Sequence, residues 1–487
     1  MGFYVNPSAN SFADVLRNGK YVDKSELIAY MNSVLRTSDK LVASTRPRRF
    51  GKSFAAKMLA AYYSKGADSK ALFENLKIAG MDGFEQHLNK YGVIFIDVAS
   101  FISFADDIRD TLADIQSKVI RELMEEYPGC VRDKTKLLME ALMQVTAKTG
   151  NKFFVIIDEW NALFREVKDD EKLQESYMKF LRGMFKSPQT SEIFVGVYMT
   201  GILPIKKYGT QSALTDFWEF TMLNPGSLAP FIGFTEDEVK ELCYTNHLDF
   251  EEVRRWYDGY RFDKIIKEEK PDGQGLERHN IVQHIYCPNS IMELVKNEEF
   301  GSYWTTTETY ESLRDYIDLN YDGLRDALVD MLGGRRCRID PQTFQNDMTS
   351  IKGRDDIFTL LVHLGYLAYD SGSEEVFIPN KEIRKEFVRA LKESRRPELA
   401  KAVKIADELL AATLARDEKE VAKLIEAAHF AGTAPQNYNE EQALRYVVIT
   451  AYLTSMDHYL RFEELASGRG YCDIFSFRGS AHRNRLC

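Results

Sequence analysis

The 487-residue sequence predicts an α/β protein with a doubly wound parallel sheet, and three observations carry that prediction. The runs Val93–Asp97, Phe153–Asp158 and Ile193–Met199 are apolar without alternation. Strands covered on both faces have this pattern, whereas strands with one face in water alternate. Segments with helical spacing, 104–127, 133–149 and 170–186, fall between the runs, and Pro128-Gly129 separates the first two. The stretch Arg46-Pro47-Arg48-Arg49-Phe50-Gly51-Lys52-Ser53 follows the short apolar piece Leu41-Val42-Ala43 and opens an alanine-rich helix, 54–63. Strand, tight loop, Gly-Lys-Ser and helix is the order of a phosphate-binding P-loop.

Each part of that loop has a physical role. Gly51 lets the backbone approach a phosphate, and the free N–H groups and positive end of the next helix face the anion. Lys52 reaches the β- and γ-phosphates of ATP, and the Ser53 hydroxyl holds Mg²⁺. The pattern G-x-x-x-x-G-K-[ST] is imperfect, because its first glycine is Arg46. The run Phe153–Asp158 supplies the complementary half. Asp158 ends a buried strand at the edge where open α/β sheets bind ligands. There it shares the Mg²⁺ with Ser53. Glu159, one step further out, is placed to orient and deprotonate an attacking water.

In chain order, Phe12–Arg17 and Tyr21–Ile28 are short amphipathic pieces ahead of the first strand. Tyr21–Lys24 suits packing better than contact with an adenine base. Val93–Asp97 is a second strand ending in an acid. After Ile193–Met199, Thr200 stands at a strand tip, where its hydroxyl either touches the γ-phosphate or attacking water, or caps the turn. Thr235 reads as a helix N-cap with acids after it. Trp256–Phe262 is aromatic and turn-forming. The charged segment 263–283, with Pro271-Asp272-Gly273, reads as a surface loop. Ile357–Tyr369, a Ser-Gly-Ser turn and Val376–Pro379 have the outline of a winged helix, here read as a lid, with His363 in its core. Helices 398–415 and 417–430 then precede strands at Tyr459–Leu465 and Tyr471–Phe475. The resulting domain expectation is 1–230, 231–395 and 396–487, about three domains for this length.

Composition narrows the classes of function. Hydrophobic residues make up 44% and charged residues 28% of the chain, ordinary for a globular protein. A net charge of −10 argues against dominant non-specific nucleic-acid binding. The six cysteines are scattered and the eight histidines show no metal-ligand spacing. No signal-peptide pattern, myristoylation pattern or membrane-length apolar run occurs, so a cytoplasmic location and no membrane partner are expected.

The chain resembles the predicted AAA-ATPase-like proteins of bacteria. The motifs that carry the resemblance are Thr45–Ser53, Val155–Glu159, Met199–Pro204, Trp256–Tyr260, Tyr286–Ser290 and Tyr303–Thr306, so it spans nearly the whole chain. It implies that Arg46 is this family's own form of the loop. It also implies that Arg48 and Arg49 add charge near the phosphates or anchor the loop to acidic neighbours. Members usually end in a PD-(D/E)xK nuclease-like domain. Asp473 matches its first acid, and Glu440 or Glu441 an accessory position. The (Asp/Glu)-x-Lys strand that would complete a metal site is absent after Phe477, as in a truncated chain, so no nuclease activity is expected. An edge left open in such an incomplete restriction-endonuclease-like unit favours association, including a homo-oligomer.

Two functions follow. One is an ATPase switch using Lys52, Ser53, Asp158, Glu159 and Thr200. The other is a non-catalytic protein that binds ATP or ADP structurally and DNA or a protein partner through its C-terminal half. No motif singles out an arginine finger, Arg254, Arg255 and Arg261 being candidates by residue type alone.

Overall fold

In the computed structural model, the described residues are 2–167, 170–205, 207–208, 211–212, 214–269, 276–304, 313, 323–346, 351–393, 397–432, 452, 459–467 and 470–478. Of these, 207–208, 211–212, 263–269, 276–281, 325–326, 397–403, 428–432, 459–467 and 470–478 are described by backbone alone.

The chain divides into two compact units: Met1–Val253 with Asp258–Glu298 and Asp340–Glu374, and Arg254–Tyr257 with Glu299–Ile339 and Glu375–Cys487. The first unit is built on β1 (Leu41–Thr45), β2 (Gly92–Asp97), β3 (Phe153–Asp158), β4 (Phe194–Gly201) and β5 (Trp218–Phe220). They form one sheet in the order β2-β3-β4-β1-β5, and every pairing is parallel. The apolar runs behave as their lack of alternation requires. All six residues of β3 and all eight of β4 are buried.

Successive residues of β3 serve opposite layers. Phe153, Val155 and Ile157 join the core formed with Ile115, Val119 and Leu123 of α1 (Thr111–Glu126) and Leu138, Leu142 and Val145 of α2 (Leu138–Thr149). Phe154 faces the other way and stacks on Tyr63, with ring centroids 4.1 Å apart. Tyr63 ends α3 (Lys52–Tyr63), whose Ala55, Ala56, Ala60 and Ala61 are all buried. Their small side chains let this helix lie close on the sheet.

Several expectations shift in detail. The helix expected over 104–127 is split, because Asp97 caps a separate helix, Val98–Phe104, accepting from Ala99 N and Ser100 N. Thr235 caps its helix, Glu236–Thr245, in a full capping box with Glu238. Residues 263–269 and 276–283 are strand and not surface loop. They belong to a long hairpin, β6 (Tyr260–Glu269) against β7 (Leu276–Tyr286), in which Tyr260 pairs with Ile285 and Glu269 with Leu276. Pro271-Asp272-Gly273 lie outside the described residues, and ladder bonds between residues distant in the chain make the charged flanks into strand. β5 also went unrecognised. Three residues are too few to show a period, and β1 supplies their partners.

His363 is buried and faces the ring of Phe344 at 6.1 Å, as expected of a core histidine. In the second unit, Cys337–Arg338 pairs antiparallel with Glu375–Phe377. Helices Pro397–Ala415 and Glu418–Gly432 pack through Ile405, Leu409, Ala412 and Leu424. Strands Tyr459–Ser467 and Gly470–Arg478 pair antiparallel. Among the described residues, no helix is long and apolar enough to cross a membrane.

Candidate phosphate-binding site

The register of the sheet brings the sequence motifs to one edge. Asp97 stands opposite Asp158, Ser44 opposite Thr200, and Thr45 opposite Gly201. Because β4 lies between β1 and β3, the Thr200 tip sits between the loop strand and the acid strand. The backbone N–H of Arg46 donates to the carbonyl of Gly201 at 3.1 Å, which ties the loop to that tip.

The loop turns through two left-handed residues, Arg49 (φ 68°) and Gly51 (φ 90°). Such a conformation costs glycine nothing and strains arginine. It is braced from within. Phe50 is fully buried and meets Tyr260 edge-on at 5.4 Å. The Cys287 thiol donates to the Arg49 carbonyl at 3.9 Å. Arg46 is wholly buried and donates through Nη1 to the carbonyls of Thr45 (2.9 Å) and Phe220 (3.3 Å). Its guanidinium lies over the Phe262 ring at 5.3 Å. Burial draws its pKa down to about 10. Arg46 is thus placed beneath the loop, among residues of β5 and β6. The motifs around Trp256–Tyr260 and Tyr286–Ser290 gain a physical role here, since Tyr260 and Cys287 hold the loop in shape.

Past the loop, Lys52 begins α3 and is 4% exposed. Its ammonium donates to the Pro47 carbonyl at 2.9 Å and stands 3.7 Å from Glu159 Oε1. Burial lowers the Lys52 pKa, with Glu159 and Asp158 opposing the shift. Asp158 is 3% exposed, and burial raises its carboxyl to about 6 while a hydrogen bond with Ser53 works against the rise. The hydroxyl and carboxyl that could hold a cation therefore lie near one another. Two hard oxygen donors suit Mg²⁺.

Glu159 leaves the strand in a left-handed conformation (φ 51°), its N–H donating to Asp158 Oδ1 at 3.0 Å. Arg165 Nη2 donates to its Oε2 at 2.8 Å. Burial pushes the Glu159 carboxyl up, but Lys52, Arg165 and Arg48 together outweigh it and leave the pKa below the ordinary glutamate value. Several cations around one carboxylate leave the site with positive charge to offer an anion.

The acid turn is fastened to the β4 tip. Trp160 N donates to Thr200 O at 2.9 Å, and Ile202 N to Asn161 Oδ1 at 3.1 Å. Trp160 Nε1 donates to Leu203 O at 3.2 Å, and the Tyr177 hydroxyl to Trp160 O at 2.9 Å. Thr200 itself is fully buried, and its hydroxyl has no hydrogen-bond partner among the described residues.

Residues 8–210 match the family model of predicted AAA-ATPases. That match points to nucleotide binding by this part of the chain. The matched segment contains Lys52, Ser53, Asp158, Glu159 and Thr200, and ends before the strand and hairpin that brace the loop. The chain is also similar to a protein of Azotobacter chroococcum mcd 1 named "Uncharacterized protein in vnfD 5'region", at 22% identity over 277 residues. The matched region is 56% of this chain and 48% of that protein, so the chain spans about half the length of the curated relative it matches.

Sequence reasoning missed Arg165, Asn161 and the brace. Arg165 follows Glu159 by six positions in Trp160–Arg165, a spacing with no motif attached. Of the nuclease-like residues, Asp473 lies in the strand Gly470–Arg478, while Glu440 and Glu441 lie outside the described residues. Tyr21 packs edge-on against Phe12 at 5.7 Å, in line with the packing role. Glu236, Asp258 and His284 place ligand atoms within 4.8 Å of one another, but Lys240 lies 2.6 Å from Glu236, so this cluster carries its own cation.

Proposed function

We propose that the chain binds Mg-ATP in the Arg46–Ser53 loop and hydrolyses it, using the difference between the ATP and ADP states as a switch. The observation that carries this reading is the convergence of Lys52, Asp158 and Glu159 at the carboxyl edge of a parallel sheet, with Lys52 Nζ 3.7 Å from Glu159 Oε1. Opposite charges at a helix N-terminus, beside a left-handed glycine, form a site for a phosphate chain.

In this reading the backbone N–H groups at the start of α3 bind the phosphates, and Lys52 exchanges the Pro47 carbonyl for a phosphoryl oxygen. Ser53 and Asp158 would hold Mg²⁺, which offsets charge on the phosphates when bound. Glu159, kept ionised by its cations, accepts a proton from water. The Thr200 hydroxyl, without a partner among the described residues, hydrogen-bonds the terminal phosphate or that water. Pro47, Arg48, Arg49 and Phe50 shape the loop, and Arg48 adds charge. Arg46 acts from beneath it.

The rest of the chain is proposed to follow the boundaries 1–230, 231–395 and 396–487, with a winged-helix-like lid and an inactive nuclease-like unit that engages DNA or a protein. Among the described residues Cys130, Cys243, Cys287 and Cys337 form no disulfide, which fits a reducing, cytoplasmic setting.

Steady-state phosphate release tests the reading, compared among wild type, Lys52→Ala and Glu159→Gln. Expected are Mg²⁺-dependent turnover in wild type, loss of nucleotide binding in Lys52→Ala, and retained binding with turnover about a hundredfold slower in Glu159→Gln. Equal turnover in wild type and Glu159→Gln would remove Glu159 as the base.

A further inference from the structure

We propose that Arg165 is a positioning residue for hydrolysis: it grips one oxygen of Glu159 and leaves the other turned toward the phosphate lysine. The assignment rests on the hydrolytic reading of Glu159 given above.

The geometry is asymmetric. Arg165 Nη2 reaches Oε2 at 2.8 Å, while Oε1 stands 3.7 Å from Lys52 Nζ. Lys52 is the group that meets the phosphates, so Oε1 is the oxygen facing the reacting centre. A free glutamate side chain rotates about its own torsions, and here the backbone leaves the strand in a left-handed turn that gives no strand-like direction to the side chain. Arg165 removes that freedom. It is itself anchored: its N–H donates to Asn161 O at 3.3 Å, and Asn161 is bound to the β4 tip through Ile202 N.

A purely structural role accounts poorly for this arginine. The pair is largely buried, at 13% exposure for Arg165 and 19% for Glu159. Buried ion pairs seldom stabilise more than apolar residues of the same volume. Arg165 is a weak structural device in another respect, since its buried Nε and Nη1 find no acceptor among the described residues. What the pair does supply is a fixed carboxylate direction. Misplacing a catalytic group by about 1 Å costs on the order of a hundredfold in rate.

The test is Mg-ATP turnover by the full chain carrying Arg165→Met, Arg165→Lys, Glu159→Gln or Arg165→Met with Glu159→Gln, with nucleotide affinity measured separately by thermal shift. Met keeps the volume and leaves Glu159 paired with Lys52. Expected for Arg165→Met is a kcat lower by about tenfold to a hundredfold, with KM and ADP affinity within about twofold of wild type. Arg165→Lys should recover part of the loss, and the double variant should be no slower than Glu159→Gln alone. The double variant also removes both charges, so it reports on the pair even where Arg165→Met folds poorly. Unchanged kcat in folded Arg165→Met, or kcat and affinity falling together, would overturn the assignment while leaving the hydrolytic reading in place. A wild type that does not hydrolyse Mg-ATP, or a Glu159→Gln variant that matches it, would overturn the hydrolytic reading and the Arg165 assignment with it.

Discussion

Gly201→Ala is the sharpest probe of how the acid turn and the β4 tip are joined. A Cβ at this position would lie 2.5 Å from Trp160 Cδ1, 2.6 Å from Asn161 Oδ1 and 2.7 Å from Trp160 Nε1. None of these atoms can retreat cheaply. Trp160 is 1% exposed, its indole N–H is bound to Leu203 O, and its carbonyl accepts from Tyr177. Overpacking of this kind costs about 1–3 kcal/mol. The upper end applies, because relief breaks hydrogen bonds that contribute about 1 kcal/mol each. A loss of about 3 kcal/mol lowers the melting temperature of a unit this large by roughly 6 °C.

Function should suffer with stability, since relief moves Asp158 and Glu159 away from the loop. Thermal unfolding with and without Mg-ATP, beside phosphate release, measures both effects. For the stability measured without nucleotide, Gly51→Ala is the control. Its Cβ would meet open space, so only the left-handed backbone is strained, at about 1 kcal/mol. A Gly201→Ala protein as stable and active as wild type would refute the close apposition of Trp160 and the strand tip.

Two other outcomes are expected. Arg46→Met, which replaces a wholly buried cation by an apolar side chain, should leave the melting temperature unchanged or raise it, with nucleotide binding retained; a loss above about 2 kcal/mol would show that the buried charge is needed. Burial pushes the Cys243 thiol up to about 11, so between its ordinary value of 9.0 and 11 the folded protein keeps a proton that the unfolded chain releases, and stability falls as pH rises through that window. At pH about 8, an alkylating reagent should label the half-buried Cys130 and Cys337 well before Cys243, and mass spectrometry of the digested protein would expose equal rates as a failure of this reasoning.

The sequence alone determined the parts whose signal is local. Continuous apolar runs marked β2, β3 and β4, because a strand covered on both faces must be apolar throughout. Gly51-Lys52-Ser53 marked the turn into α3, and Asp158-Glu159 marked the acid end of β3, because each chemistry depends on neighbours in the chain. Tertiary structure decided what depends on neighbours in space. The strand order β2-β3-β4-β1-β5 comes from pairing between segments distant in the chain, such as Leu41 with Val197, and it brings Thr200 beside the Arg46–Ser53 loop. Arg46 stands where a glycine was expected, and the Thr45 and Phe220 carbonyls with the Phe262 ring explain how a buried guanidinium is accommodated there. Arg165 is invisible in sequence for the same reason. Its role is fixed by a 2.8 Å contact across a turn, and hydrogen-bond geometry, unlike hydrophobic period, leaves no pattern in the order of residues.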